Sequence, residues 1–148
     1  MIEPMIDPMI SMTILDFRSQ FIGGDLLRWE FQLDAVENER VVAVENSVLW
    51  YTSGKGDEDI GVHFFERRVP KKNESNDLVS LRRFESVLPD SPVSYDGFLL
   101  KINWCVRVRA FLKGGKEFSE EIPFGLKRKH RVSRFGDQAS ASFRVVGA

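Results

Sequence analysis

The stretch that most constrains this chain is "FLLKINWCVRVRAFL", Phe98 to Leu112, because its apolar residues recur at every second position. Leu100, Ile102, Trp104, Val106, Val108, Ala110 and Leu112 share one face, and Lys101, Asn103, Cys105, Arg107, Arg109 and Phe111 share the other. Successive side chains leave a β-strand on opposite sides, so this period of two belongs to an extended strand; a helix would scatter the same residues around its axis. One apolar face and one wet face mark an antiparallel strand covered on a single side. "KGGK" follows at once, and its two glycines supply the positive φ angles of a short hairpin turn. Phe118, Ile122, Phe124 and Leu126 continue the alternation on the return strand.

The same period organises the rest of the chain. Leu27, Trp29, Phe31 and Leu33 alternate with Arg28, Glu30, Gln32 and Asp34, and Val42, Val44, Val48 and Trp50 fall in phase before the turn "GKGDED". "IGVHFFERRV" resumes as a strand up to Pro70, "KKNESND" reads as an exposed loop, and "LVSLRRFESVL" leads to a further strand. Apolar residues nowhere recur at helical spacing for three turns, so little or no helix is expected. Half-wet strands joined by polar turns predict an all-β fold of two packed antiparallel sheets, with a closed barrel as the alternative. The chain has 148 residues, enough for one domain with its own core, and 12 Phe with 3 Trp supply large apolar bodies for it. The first twelve residues, "MIEPMIDPMISM", carry prolines at Pro4 and Pro8 and no core pattern. They read as a flexible or dispensable leader, or as sequence upstream of a true start at Met12, with residues 13–148 forming the single sandwich.

Between the strand ending at Leu88 and the long alternating strand lies "LPDSPVSYDG". Pro89 and Pro92 prevent continued ladder pairing, and Gly97 permits a sharp re-entry, which suits a chain leaving one sheet for the other. Phe84, Leu88, Pro89, Pro92, Ser94, Tyr95, Gly97, Ile102 and Trp104 together resemble a segment of arrestin-type domains. "FIGGDLLRWEFQLD" and "RVVAVENSVLWYTSG" are similar to two earlier strands of that family, so the resemblance covers roughly Phe21 to Leu126. It implies an immunoglobulin-like β-sandwich used as a scaffold in arrestins, arrestin-domain trafficking adaptors, the arrestin-like retromer subunit and bacterial sporulation-control proteins. Those proteins usually carry two sandwiches in tandem, and this chain has room for one. The buried charged core and phosphate-sensing lysine pair of visual-type arrestins have no counterpart here, so receptor-phosphate recognition is not carried over.

Candidate chemistry is sparse. His63 and His130 are the only histidines and Cys105 the only thiol, whereas a metal site needs converging donors and a nucleophile needs a base with an orienting partner. His63 beside Phe64 and Phe65 reads as structural, and Cys105 as partly buried by a neighbouring strand. Asp57, Glu58 and Asp59 lack the alternating spacing of a cation loop and read as a solvated turn. No catalytic, cofactor or metal residues are assigned, and the chain is read as a non-enzyme. A lone cysteine excludes an intrachain disulfide and favours a reducing compartment; with no signal-like or membrane-length apolar segment, a cytoplasmic location is expected.

The sharpest electrostatic feature is "LKRKHRVSR", where Lys127, Arg128, Lys129, Arg131 and Arg134 stand with no acid between them in a chain of net charge -1. Either the segment binds phosphate, anionic lipid or nucleic acid, helped by Arg107 and Arg109 if these lie beside it, or it is a solvated strand end. The solvated end stands ahead, because no stacking motif or amphipathic helix accompanies the charges. The leading expectation is an interaction module that binds another protein through sheet edges or crossing loops. A homodimer could substitute for the missing second sandwich, and an anion- or membrane-surface-binding domain is the alternative.

Overall fold

The computed structural model describes residues 6–72 and 77–129. Its strands are β1 (Met9–Ile14), β2 (Gln20–Ile22), β3 (Leu26–Asp34), β4 (Val41–Gly54), β5 (Ile60–Arg68), β6 (Arg82–Val87), β7 (Tyr95–Asp96), β8 (Leu100–Leu112) and β9 (Glu117–Lys127). Among the described residues the only helical pieces are single 3-10 turns at Leu15–Phe17 and Asn38–Arg40. Two sheets form: a small one in the order β1-β3-β6, and a large one in the order β2-β9-β8-β4-β5 with β7 added to the start of β8. The all-β sandwich expected from the alternation is therefore what the chain builds.

The core lies between the sheets and is supplied by the alternate residues of each strand. Leu27, Trp29, Phe31 and Leu33 of β3 face Val48 of β4, Trp104, Val106 and Val108 of β8, and Leu126 of β9, all buried. Aromatic packing ties the layers: Phe84 stacks on Phe31 and Trp29 at ring-centroid distances of 5.5 Å and 5.7 Å, and Phe64 meets Trp29 edge-on at 5.4 Å. Each such side chain contributes on the order of 2–3 kcal/mol by leaving water. The buried Trp29 indole donates to Asn46 Oδ1 at 2.9 Å, a polar link inside this aromatic layer, and Asn46 Nδ2 has no partner among the described residues.

The hairpin from β8 to β9 turns through Gly114 and Gly115 at φ 88° and 84°, the positive-φ region in which the backbone of any residue with a Cβ is strained. The crossing is held at three points. Leu88 exchanges backbone bonds with Asp25 and Gly24 at 2.9 Å each; the Trp104 indole donates to Pro92 O at 2.7 Å; and Ser94 binds Leu126 through its amide at 2.8 Å and its hydroxyl at 2.9 Å. At Gly97 the neighbouring Tyr95 ring lies over the position of a side chain: an added Cβ would come 2.2 Å from the ring, and this exposed ring would have to swing aside.

Three expectations need correction. The leader does not extend to Met12: β1 starts at Met9, pairs with β3 from Met9↔Asp34 to Ile14↔Trp29, and buries Ile10 and Ile14. Pro8 precedes this strand and does not interrupt it, so the second proline marks the strand start. Val42 is out of phase and exposed, because an irregularity between Val41 and Ala43 shifts the β4 register and turns Val41 inward instead. One pairing is parallel, since β2 runs alongside the end of β9 from Gln20↔Gly125 to Ile22↔Lys127.

Candidate functional site

The basic segment begins where β9 ends. Lys127 closes the strand beside Ile22, and Lys127, Arg128 and Lys129 are exposed. Arg131, Arg134 and His130 lie outside the described residues. Lys127 shares a shallow depression with Arg18, Gln20 and Asp25, where the Arg18 guanidinium already sits 3.4 Å from the Asp25 carboxylate.

Arg107 and Arg109 do not join this segment. Arg107 opposes Glu121 and Arg109 opposes Ser119, six and eight residues before Lys127 on β9. At about 3.4 Å per residue the nearer of them is roughly 20 Å away along the strand. Both are also engaged: Arg107 Nε meets Glu121 at 2.7 Å, and Arg109 meets Glu117 at 2.9 Å and Glu45 at 3.9 Å. Glu45 in turn accepts Arg67 at 2.6 Å. Cross-strand pairing on the outer face of the large sheet neutralises the charges that alternation alone left unassigned.

The single histidine and thiol of the described residues take structural places. His63 is the extra residue of a bulge in β5, where Val48 pairs with Phe64 and Leu49 with Val62. Its Nε2 lies 2.8 Å from Val87 O and 3.1 Å from Ser86 Oγ on β6, so the ring spans the gap between the two sheets, edge-on to Trp104. A carbonyl and a hydroxyl orient the ring; among the described residues no carboxylate is paired with it. Cys105 is buried on the outer side of β8, and burial first, then the nearby Glu121 carboxylate, push its thiol up to about 12. A thiol so held is no nucleophile near neutral pH. Among the described residues no group of three or more His, Cys, Asp or Glu is placed to hold a metal ion, and no helix is long and apolar enough to cross a membrane.

What the periodicity missed is the condition of the sheet edges. Among the described residues, β5 borders the large sheet with β4 as its one partner strand, and β1 and β6 border the small one. On the outer side of β5, Ile60, Val62 and Phe65 are 58%, 56% and 55% exposed, next to the buried Leu49 and Cys105 of the inner strands. The signal was present in "IGVHFF", which is apolar at positions of both parities and so cannot hide every side chain in one core.

No family model matches this sequence, and no curated protein sequence matches it. Among solved structures, the sporulation control protein Spo0M of Bacillus subtilis is similar, with a TM-score of 0.54 and 9% sequence identity over 83% of this chain and 50% of that one. This chain thus spans half the length of that solved chain. The likeness is one of fold: an all-β, arrestin-like sandwich of two packed sheets.

Proposed function

We propose that this chain is a non-enzymatic interaction module that binds another protein through its sheet edges or crossing loops. The observation that carries the reading is that, among the described residues, both sheets end in strands with a ladder partner on one side alone, β1 and β6 on the small sheet and β2 and β5 on the large one. A strand edge presents unpaired N–H and C=O groups that pair with any extended segment of suitable side chains. The likeness to an arrestin-like sandwich supports a scaffold role as well, in keeping with the absence, among the described residues, of a histidine or thiol aligned with an acid or base for catalysis.

A second reading has its own observation. Lys127, Arg128 and Lys129 leave the large sheet at the end where Ser94 binds Leu126, and the loop just beyond Ser94 carries a fully exposed Phe98 and a half-exposed Leu99. Cations beside an apolar tip suit an anionic membrane surface. Affinity capture from lysate of the source organism, comparing the native chain with K127E/R128E/K129E/R131E, separates the two. A protein retained by both forms in moderate salt supports the adaptor. Loss, in the variant alone, of captured lipid, phosphorylated material or nucleic acid replaces it with anion binding.

A further inference from the structure

The edge strand β5 sits inside a segment with a directional pattern. "DEDIGVHFFERR", Asp57 to Arg68, runs from three acids through six residues with no acid, Lys or Arg to Glu66 and then two arginines. Such an order is self-complementary only when the strand meets a second copy running the opposite way, since a parallel copy would set acid against acid. The bulge decides whether the faces also match. Antiparallel partners share a face, and in an unbroken strand with the axis on Val62 the outward Ile60 would oppose the inward Phe64. His63 is the extra residue here, with no partner on β4 and its ring turned to β6.

We infer that the chain forms a twofold-symmetric dimer by antiparallel pairing of β5 with β5 of a second copy, with the axis at Val62 and His63 left out of the ladder in each. Val62 then meets its own copy, Gly61 opposes Phe64, and the outward Ile60 opposes the outward Phe65, so three side chains more than half exposed in the single chain cover one another. Asp59 already carries the ladder beyond β5 by accepting the Thr52 amide at 2.9 Å. Continuing the register, Glu58 opposes Arg67 and Asp57 opposes Arg68. Among the described residues Asp57 and Glu58 make no ion pair within the chain, and Arg68 makes no close one, its attraction to the Glu66 and Asp77 carboxylates acting at longer range. The one like-charged pair, Asp59 against Glu66, is softened because Arg82 grips Glu66 through two bonds of 3.1 Å and 3.3 Å. The inference goes beyond the adaptor reading: it commits β5 to a second copy and leaves β1, β6 and the crossing loop for other partners.

Sedimentation velocity on the full chain across the micromolar range tests this, with thermal unfolding as the folding control. The native chain is expected to dimerise. V62K, which places two like charges on the axis at an exposed position, weakens the dimer by at least about tenfold. R68D or D57R alone weakens it about three- to tenfold, because symmetry removes two ion pairs and adds repulsion, and D57R/R68D returns it to within about threefold of native. A native chain monomeric throughout, a dimer indifferent to V62K, or a charge-swapped double variant as weak as its singles overturns the pairing. The adaptor reading is judged separately, by whether the folded V62K variant still captures the protein partner of the native chain.

Discussion

Shrinking Trp104 to phenylalanine tests whether the central aromatic of β8 holds the crossing between the sheets. The indole is 1% exposed, donates to Pro92 O at 2.7 Å, and packs against Phe124 at a centroid distance of 5.8 Å. W104F keeps an aromatic body but removes the donor and strands a carbonyl, which costs about 1–2 kcal/mol. The volume lost from a filled core adds about 1–2 kcal/mol, so the sum is about 2–4 kcal/mol. S94A removes only the hydroxyl that accepts the Leu126 amide at 2.9 Å, while the Ser94 amide still reaches Leu126 O, and costs about 1 kcal/mol. Ser94 lies two residues from Pro92, so once W104F loosens the crossing the second change has less to remove. The double variant is therefore less destabilised than the two losses added, by about 0.5–1 kcal/mol. Urea unfolding followed by far-ultraviolet circular dichroism measures all three variants without depending on tryptophan emission. If W104F costs under about 0.5 kcal/mol, or the two losses simply add, the crossing is held by Leu88 and β7 and the argument from the indole fails.

Three further outcomes follow from the same contacts. Deleting residues 1–8 leaves stability within about 0.5 kcal/mol, whereas deleting residues 1–12 removes buried Ile10 and four of the six β1 pairings and lowers it by about 2–4 kcal/mol, read by urea midpoint. Cys105 in the folded chain resists a thiol reagent at pH 8; and because its folded pKa is raised from 9.0 to about 12, stability is retained below pH 9 and falls as pH rises through that window, by at most about 1.4 kcal/mol per pH unit, a loss that C105A removes. E45A, which takes the shared acceptor from Arg67 and Arg109 on the outer face, costs under about 1 kcal/mol and less at high salt, measured by thermal unfolding at two ionic strengths.

Period two in Leu100–Leu112 and Leu27–Leu33, the glycine pair after Lys113, and the prolines between Leu88 and Gly97 were enough to read strands, a hairpin and a crossing, because each is a property of a few consecutive residues. The inward-facing set read for β8 is the set the core uses from Trp104 onward; Leu100, at the strand start, stays partly exposed. The positive segment was legible as charge, but its neighbours were not. Arg107 and Arg109 look free in one strand and are paired once Glu121 and Glu117 stand opposite on β9 and Glu45 on β4. Which strands border a sheet, that β2 runs parallel to β9, and that an extra residue in β5 turns Ile60, Val62 and Phe65 to one outer face were set by tertiary structure alone. The physical reason is that alternation follows from the pleat of a single backbone, whereas pairing, register and edge exposure come from contacts between segments distant in sequence, whose relative strengths no local pattern contains.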